Sequence, residues 1–78
     1  MRYIDMMCDE LHGVREYFDA AGAEDDFYMR VGLKRIAYEE YTHARFLREE
    51  MIRLGLYDPK EHPEQEKKYR ETERMFED

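Results

Sequence analysis

The stretch from Phe27 to Leu54 reads FYMRVGLKRIAYEEYTHARFLREEMIRL, and it decides the fold of this chain. Its apolar side chains recur along one stripe at helical spacing, which predicts a long amphipathic α-helix. Glu40 lies on that stripe and His43 lies at its margin, so an ionisable pair is turned toward the predicted core. The apolar residues within about 60° of Glu40 are Met29, Leu33, Ile36, Ala37, Ala44, Leu47, Met51 and Leu54.

An ionisable pair on an apolar face needs a neutralising partner, because a buried unpaired charge is strongly unfavourable. A bound cation is the simplest such partner. Glu and His at positions i and i+3 of an inward helix face also form the Glu-x-x-His metal-binding motif of di-iron carboxylate bundles. The alternative is that His43 is a core residue with its hydrogen bonds satisfied within the protein and that an arginine pairs with Glu40.

The segment from Tyr3 to Ala21 predicts a second amphipathic helix. Glu10 is the one acidic residue within its apolar face, while Gly13 marks either a weak point or a close approach of another helix. Each helix therefore turns one carboxylate inward. The side chains within about 60° of Glu10 are Tyr3, Met6, Met7, Val14 and Tyr17.

The order of these segments predicts an all-α fold. Helices over about residues 3–21 and 25–54, joined by a short acidic connection, form an antiparallel hairpin within residues 1–57. A lone hairpin leaves its apolar stripe half covered, so two copies are expected to pair into a four-helix bundle. Residues 58–78 predict a charged C-terminal helix or tail that packs on a neighbouring chain or stands in solvent.

Composition narrows the classes of function. The net charge of −7 over 78 residues argues against a nucleic-acid partner and favours cations, although acidity also serves solubility. Cys8 is the only cysteine, so no intrachain disulfide is expected. The sequence carries no signal-peptide pattern and no membrane-spanning run. These features predict a cytoplasmic protein.

One chain offers three metal donors, Glu10, Glu40 and His43, which are too few for two metal ions. A two-fold homodimer doubles this set to four carboxylates and two imidazoles, the donor set of di-iron bundles. Such donors suit iron or manganese, and zinc or calcium are alternative occupants.

The sequence DELHGVREY at residues 9–17 is followed by EYTH at residues 40–43. This pattern resembles the ferritin-like superfamily, most closely the two-helix encapsulated ferritins, which are half-bundles of the rubrerythrin kind. The resemblance covers about residues 3–55. It implies a ferritin-like four-helix bundle and a ferroxidase that oxidises Fe(II) with O₂ or peroxide for iron storage. It also implies that Glu10 and Glu40 bind iron, that Glu40 bridges two metals, and that His43 is a terminal ligand.

The same resemblance extends to neighbouring positions. It implies that Tyr17 supports a metal-binding carboxylate, and that His12 stands where the family has an acidic residue guiding iron inward. Glu50 is a candidate for a secondary cation site, because it lies near the side of the helix that carries His43. Encapsulated relatives reside in an encapsulin shell, within a protein nanocompartment. Residues 74–78 do not match their short apolar docking tail, so a plain cytosolic relative is an alternative.

Three hypotheses follow from the sequence. The first is a homo-oligomeric di-iron ferroxidase, as a dimer or a larger assembly. The second is a metal carrier or metal-stapled oligomer without turnover. The third is a structural helical adaptor, in which Glu10 and Glu40 pair with Arg30 or Arg45.

Overall fold

The computed structural model describes residues 2–77, and these form three α-helices without a strand. Helix α1 spans Tyr3–Ala23, α2 spans Phe27–Arg53 and α3 spans Pro63–Arg74. The prediction of an all-α fold is therefore confirmed for the described chain. The predicted ranges 1–57 and 58–78 each extend one residue beyond it, to Met1 and Asp78.

Local signals account for the helix boundaries. The carboxylate of Asp26 accepts a hydrogen bond of 2.8 Å from the backbone N–H of Met29, which caps the start of α2. Gly55 follows the end of α2 with a φ of 73°, a left-handed conformation that favours glycine. Pro63 occupies the first turn of α3, where its missing N–H costs nothing. Each of the first two helices ends within two residues of its predicted end.

The first two helices pack side by side as an antiparallel hairpin. Only residues 24–26 connect them, so α2 must run back along α1. Ile4 near the start of α1 and Met51 near the end of α2 accordingly line one cavity. The buried core cluster comprises Met7, Leu11, Val14, Ala37, Tyr41, Ala44, Met51, Tyr57 and Tyr69.

Helix α3 packs on one side of its own hairpin. Tyr69 is only 2% exposed, and Phe76, just after the helix, makes an edge-to-face contact with Phe18. Arg48 of α2 forms an ion pair of 2.7 Å with Glu66 of α3. This arrangement differs from the expectation of a tail that packs on a neighbour or stands in solvent, because Tyr69 and Phe76 find partners within the chain.

The opposite side of the hairpin is open. Of the predicted apolar stripe, Met29, Ile36 and Leu54 are exposed, while Tyr41, about 100° from Glu40, is buried beneath α3. The buried sector is thus rotated toward α3. We call the exposed remainder the open stripe; its members are Tyr3, Met6, Tyr17, Met29, Ile36 and Leu54.

None of the described helices has both the length and the apolar character needed to cross a membrane.

Candidate metal centre

Glu10 of α1 and Glu40 and His43 of α2 meet between the helices. One ligand atom of each residue lies within 4.8 Å of the ligand atoms of the other two. The two glutamates are half-buried, and the His43 side chain is 60% exposed. The three donors chosen from the sequence are therefore brought together in one cluster.

The hairpin geometry explains this meeting. Antiparallel packing sets Glu10 of α1 at the level where Glu40 and His43 occupy successive turns of α2. The two helices run in opposite directions. A residue rotated in the same sense from Glu10 on α1 and from Glu40 on α2 therefore points to the same side of the hairpin. His43 is offset toward the open stripe, away from α3. The cluster thus opens on the side that α3 leaves uncovered.

One oxygen of this cluster has no hydrogen-bond donor. When Glu40 is ionised, Oε2 of Glu10 is shielded from solvent and accepts no hydrogen bond within the described chain. The Nδ1 atom of His43 lies 3.4 Å away, and that contact is not a hydrogen bond. A buried oxygen without a partner costs about 1–3 kcal/mol. A ligand that supplies positive charge would remove this cost.

The two carboxylates also perturb each other. The pKa of Glu40 rises from an ordinary 4.5 to about 7. The largest cause is a hydrogen bond to Glu10 that only the protonated Glu40 carboxyl can donate, followed by partial burial and by repulsion from the negative charge of Glu10. Near neutral pH Glu40 is therefore partly protonated when no cation is present, because a second negative charge beside Glu10 is unfavourable.

The arginines named by the adaptor hypothesis do not neutralise the cluster. The guanidinium of Arg30 donates two hydrogen bonds, of 3.1 and 2.9 Å, to the backbone carbonyl of Glu24. Arg45 lies over the ring of Tyr41, 5.6 Å from its centroid. Within the described residues, neither Glu10 nor Glu40 forms an ion pair with a lysine or an arginine.

The other candidate residues stand apart from the cluster. His12 pairs with Glu16 at 2.7 Å on an exposed face of α1, and it lines a cleft between α1 and α3. Glu50 pairs with Arg53 at 2.7 Å. Tyr17 lies two turns from Glu10 and is part of the open stripe. Their suggested roles in iron uptake, secondary binding and carboxylate support stay predictions.

The sequence indicated Gly13 as a weak point or a close approach, but it did not identify the neighbour. In the structure, that neighbour is the side chain of Glu40 itself. A glycine within an otherwise regular helix was the available signal. Its meaning required the register between α1 and α2, which helical periodicity alone does not give.

Comparison of the chain with protein-family models, with curated proteins and with solved structures finds no match in any of the three. The resemblance to the ferritin-like superfamily therefore stays a prediction, which rests on Glu10, Glu40 and His43 and on their spacing.

Proposed function

We propose that this chain is a ferroxidase-type di-iron protein, which binds Fe(II) between two copies of itself and oxidises it to Fe(III). The observation that carries the proposal is the buried, unpartnered Oε2 atom of Glu10 inside a cluster of two carboxylates and one imidazole. When both glutamates are ionised, this cluster has two negative charges and no lysine or arginine partner among the described residues. A divalent cation would supply the missing positive charge, and Glu10, Glu40 and His43 would hold it.

The donor set suits iron. Carboxylate oxygens and an imidazole nitrogen together match the ligands of non-haem iron and manganese, and the single cysteine of the chain is not in the cluster. Binding a cation also requires Glu40 to lose its proton. Since the pKa of Glu40 is about 7, this loss costs little near neutral pH.

A second copy would complete the site. Three donor residues leave a six-coordinate ion short of ligands, while two chains supply four carboxylates and two imidazoles, as in di-iron bundles. The open stripe supports this pairing, because exposed apolar side chains flank the cluster on the side without α3. Two copies related by a two-fold axis would bury both stripes and bring the two clusters together.

The proposed reaction needs two reducing equivalents. Two Fe(II) ions each give one electron, and O₂ takes both electrons and two protons to become hydrogen peroxide. With peroxide as the oxidant, the O–O bond breaks, and the same two electrons and two protons yield two waters. Glu10, Glu40 and His43 of two copies would hold the two ions, and the pair would supply both electrons to one oxidant without release of one-electron products.

Aerobic oxidation of Fe(II) by metal-stripped protein, followed optically, tests this proposal. The expected result is oxidation faster than the protein-free rate, saturating at about one iron per chain. Glu40→Gln should abolish the fast phase, because it removes a charged ligand while keeping the size of the side chain. Glu39→Gln is the matched control, since Glu39 is the exposed neighbour of Glu40 and lies outside the cluster.

The outcomes separate the three hypotheses. Oxidation at the protein-free rate would contradict the ferroxidase. If Fe(II) or Zn(II) still bound stoichiometrically, the cluster would be a metal site without turnover. If no metal bound and His43→Ala left assembly unchanged, the structural adaptor would be the remaining hypothesis.

A further inference from the structure

We infer that Gly13 is a positioning residue for the proposed metal centre: the absence of a side chain there leaves room for the carboxylate of Glu40 to reach Glu10. The consequence for metal binding rests on the proposed function. The steric part of the inference does not, because it follows from the contact between α1 and α2 in the metal-free chain.

Gly13 lies one turn after Glu10 on α1, facing the Glu40 side chain. A Cβ atom at position 13 would lie 3.2 Å from Oε2 of Glu40, 3.5 Å from its Cδ and 3.7 Å from its Cγ. The first distance is shorter than an ordinary van der Waals contact between carbon and oxygen. Since the added atom is fixed to the helix backbone, the Glu40 side chain would have to give way.

The other helical glycines have no such neighbour. A Cβ atom added at Gly22 of α1 or at Gly32 of α2 would meet no heavy atom within 4 Å. Glycine is a poor helix former, so its presence in the middle of α1 is unfavourable unless the space is needed. At position 13 the space is occupied by a carboxylate oxygen of Glu40, so a glycine is favoured there for steric reasons.

Displacement of Glu40 would change the cluster as a whole. Its carboxylate faces position 13 of α1, and its ligand atom lies within 4.8 Å of those of Glu10 and His43. A methyl group at position 13 would press on Oε2 of Glu40, the heavy atom nearest to it. The chain would keep Glu10, Glu40 and His43, but the Glu40 carboxylate would shift by a few tenths of an ångström relative to the other two donors.

A double-mutant cycle on thermal unfolding tests the steric part in metal-free protein. In a Glu40→Ala background the Cβ atom of Gly13→Ala meets no Glu40 carboxylate, so the better helix former should raise Tm, on the order of 4 °C. In the wild-type background the clash should cancel that gain or reverse it. Equal Tm shifts in both backgrounds would overturn the inference, whether or not the protein binds metal.

Cobalt(II) binding tests the consequence for the site, with visible absorption as the readout. Gly13→Ala should weaken Co(II) affinity by roughly tenfold, a loss typical of changes beside metal ligands, and should alter the absorption bands through changed ligation. Gly22→Ala is the matched control and should change neither property. Wild-type affinity and bands in Gly13→Ala would overturn the positioning role while leaving the metal site intact.

If the wild-type chain bound no Co(II), Fe(II) or Zn(II), the proposed function would fail, and with it the consequence for metal binding. The Tm cycle would still decide the steric part.

Discussion

Arg48 of α2 and Glu66 of α3 are joined by two parallel hydrogen bonds. Nε of Arg48 donates to Oε1 of Glu66 at 2.9 Å, and Nη2 donates to Oε2 at 2.7 Å. The hydroxyl of Tyr57 donates to the same carboxylate at 3.0 Å, and the Arg48 guanidinium lies over the ring of Tyr69. This paired geometry holds α3 against one side of the hairpin and thereby leaves the other side open.

Breaking this pair should destabilise the fold. Arg48→Met removes both hydrogen bonds to a largely buried carboxylate, and we expect a loss of about 2 kcal/mol in the free energy of unfolding. Urea denaturation of metal-free protein at fixed concentration measures the change. Arg53→Met is the control, because its pair with Glu50 is exposed and should contribute no more than about 0.5 kcal/mol. Equal effects of the two substitutions would contradict the role assigned to Arg48.

Glu66 should make the fold sensitive to acid. Hydrogen bonds from Arg48 hold the pKa of Glu66 below its ordinary 4.5, with that from Tyr57 a smaller cause. The folded state therefore releases this proton more readily than the unfolded state. The resulting stability is present above about pH 4.5 and is lost as the pH falls through the lower, folded pKa. Urea denaturation from pH 6 downward should show a shallower decline for Glu66→Gln, and a decline parallel to wild type would argue against this effect.

In metal-free protein, Glu40 should make the fold less stable as the pH rises, which is the opposite of the effect of Glu66. Its folded pKa of about 7 exceeds its ordinary 4.5, so the folded state holds the proton more tightly than the unfolded state. Its favourable contribution is complete below about pH 4.5 and is lost as the pH rises through 7. Relative to Glu40→Gln, wild-type stability should therefore fall between these pH values. Two parallel stability curves would contradict the carboxylate interaction with Glu10.

The open stripe should mediate self-association. Ile36→Glu places a charge within the stripe and should shift the protein from dimer to monomer in sedimentation velocity. Val31→Glu is the matched control, because Val31 is an exposed β-branched residue of α2 about 140° away from Ile36. If both variants stayed dimeric, or if both dissociated equally, the stripe would not be the interface.

Helical periodicity predicted the fold well for physical reasons. The recurrence of apolar residues around Glu40 and Glu10 defines two helices, and the short connection after Ala23 leaves only a hairpin. The meeting of Glu10 with Glu40 follows from that hairpin, because each lies on the face turned toward the other helix, and His43 joins them from the margin of that face.

The position of α3 could not be predicted in the same way. Its polar sequence offers few apolar residues, and its docking depends on Tyr69 and on the pair between Arg48 and Glu66, which are distant in sequence. Periodicity places residues on a helix face but does not choose among partners for that face. For this reason the burial of Tyr41 and the exposure of Ile36 appeared only in the structure.

The most direct test of the account is native mass spectrometry of metal-stripped protein titrated anaerobically with Fe(II). A site completed by a second copy predicts a dimer carrying two iron ions, with Glu10→Gln and Glu40→Gln each losing both. The matched Glu39→Gln variant should retain them. A monomer that carries one iron, or a dimer that carries none, would contradict the claim that two chains build one di-iron centre.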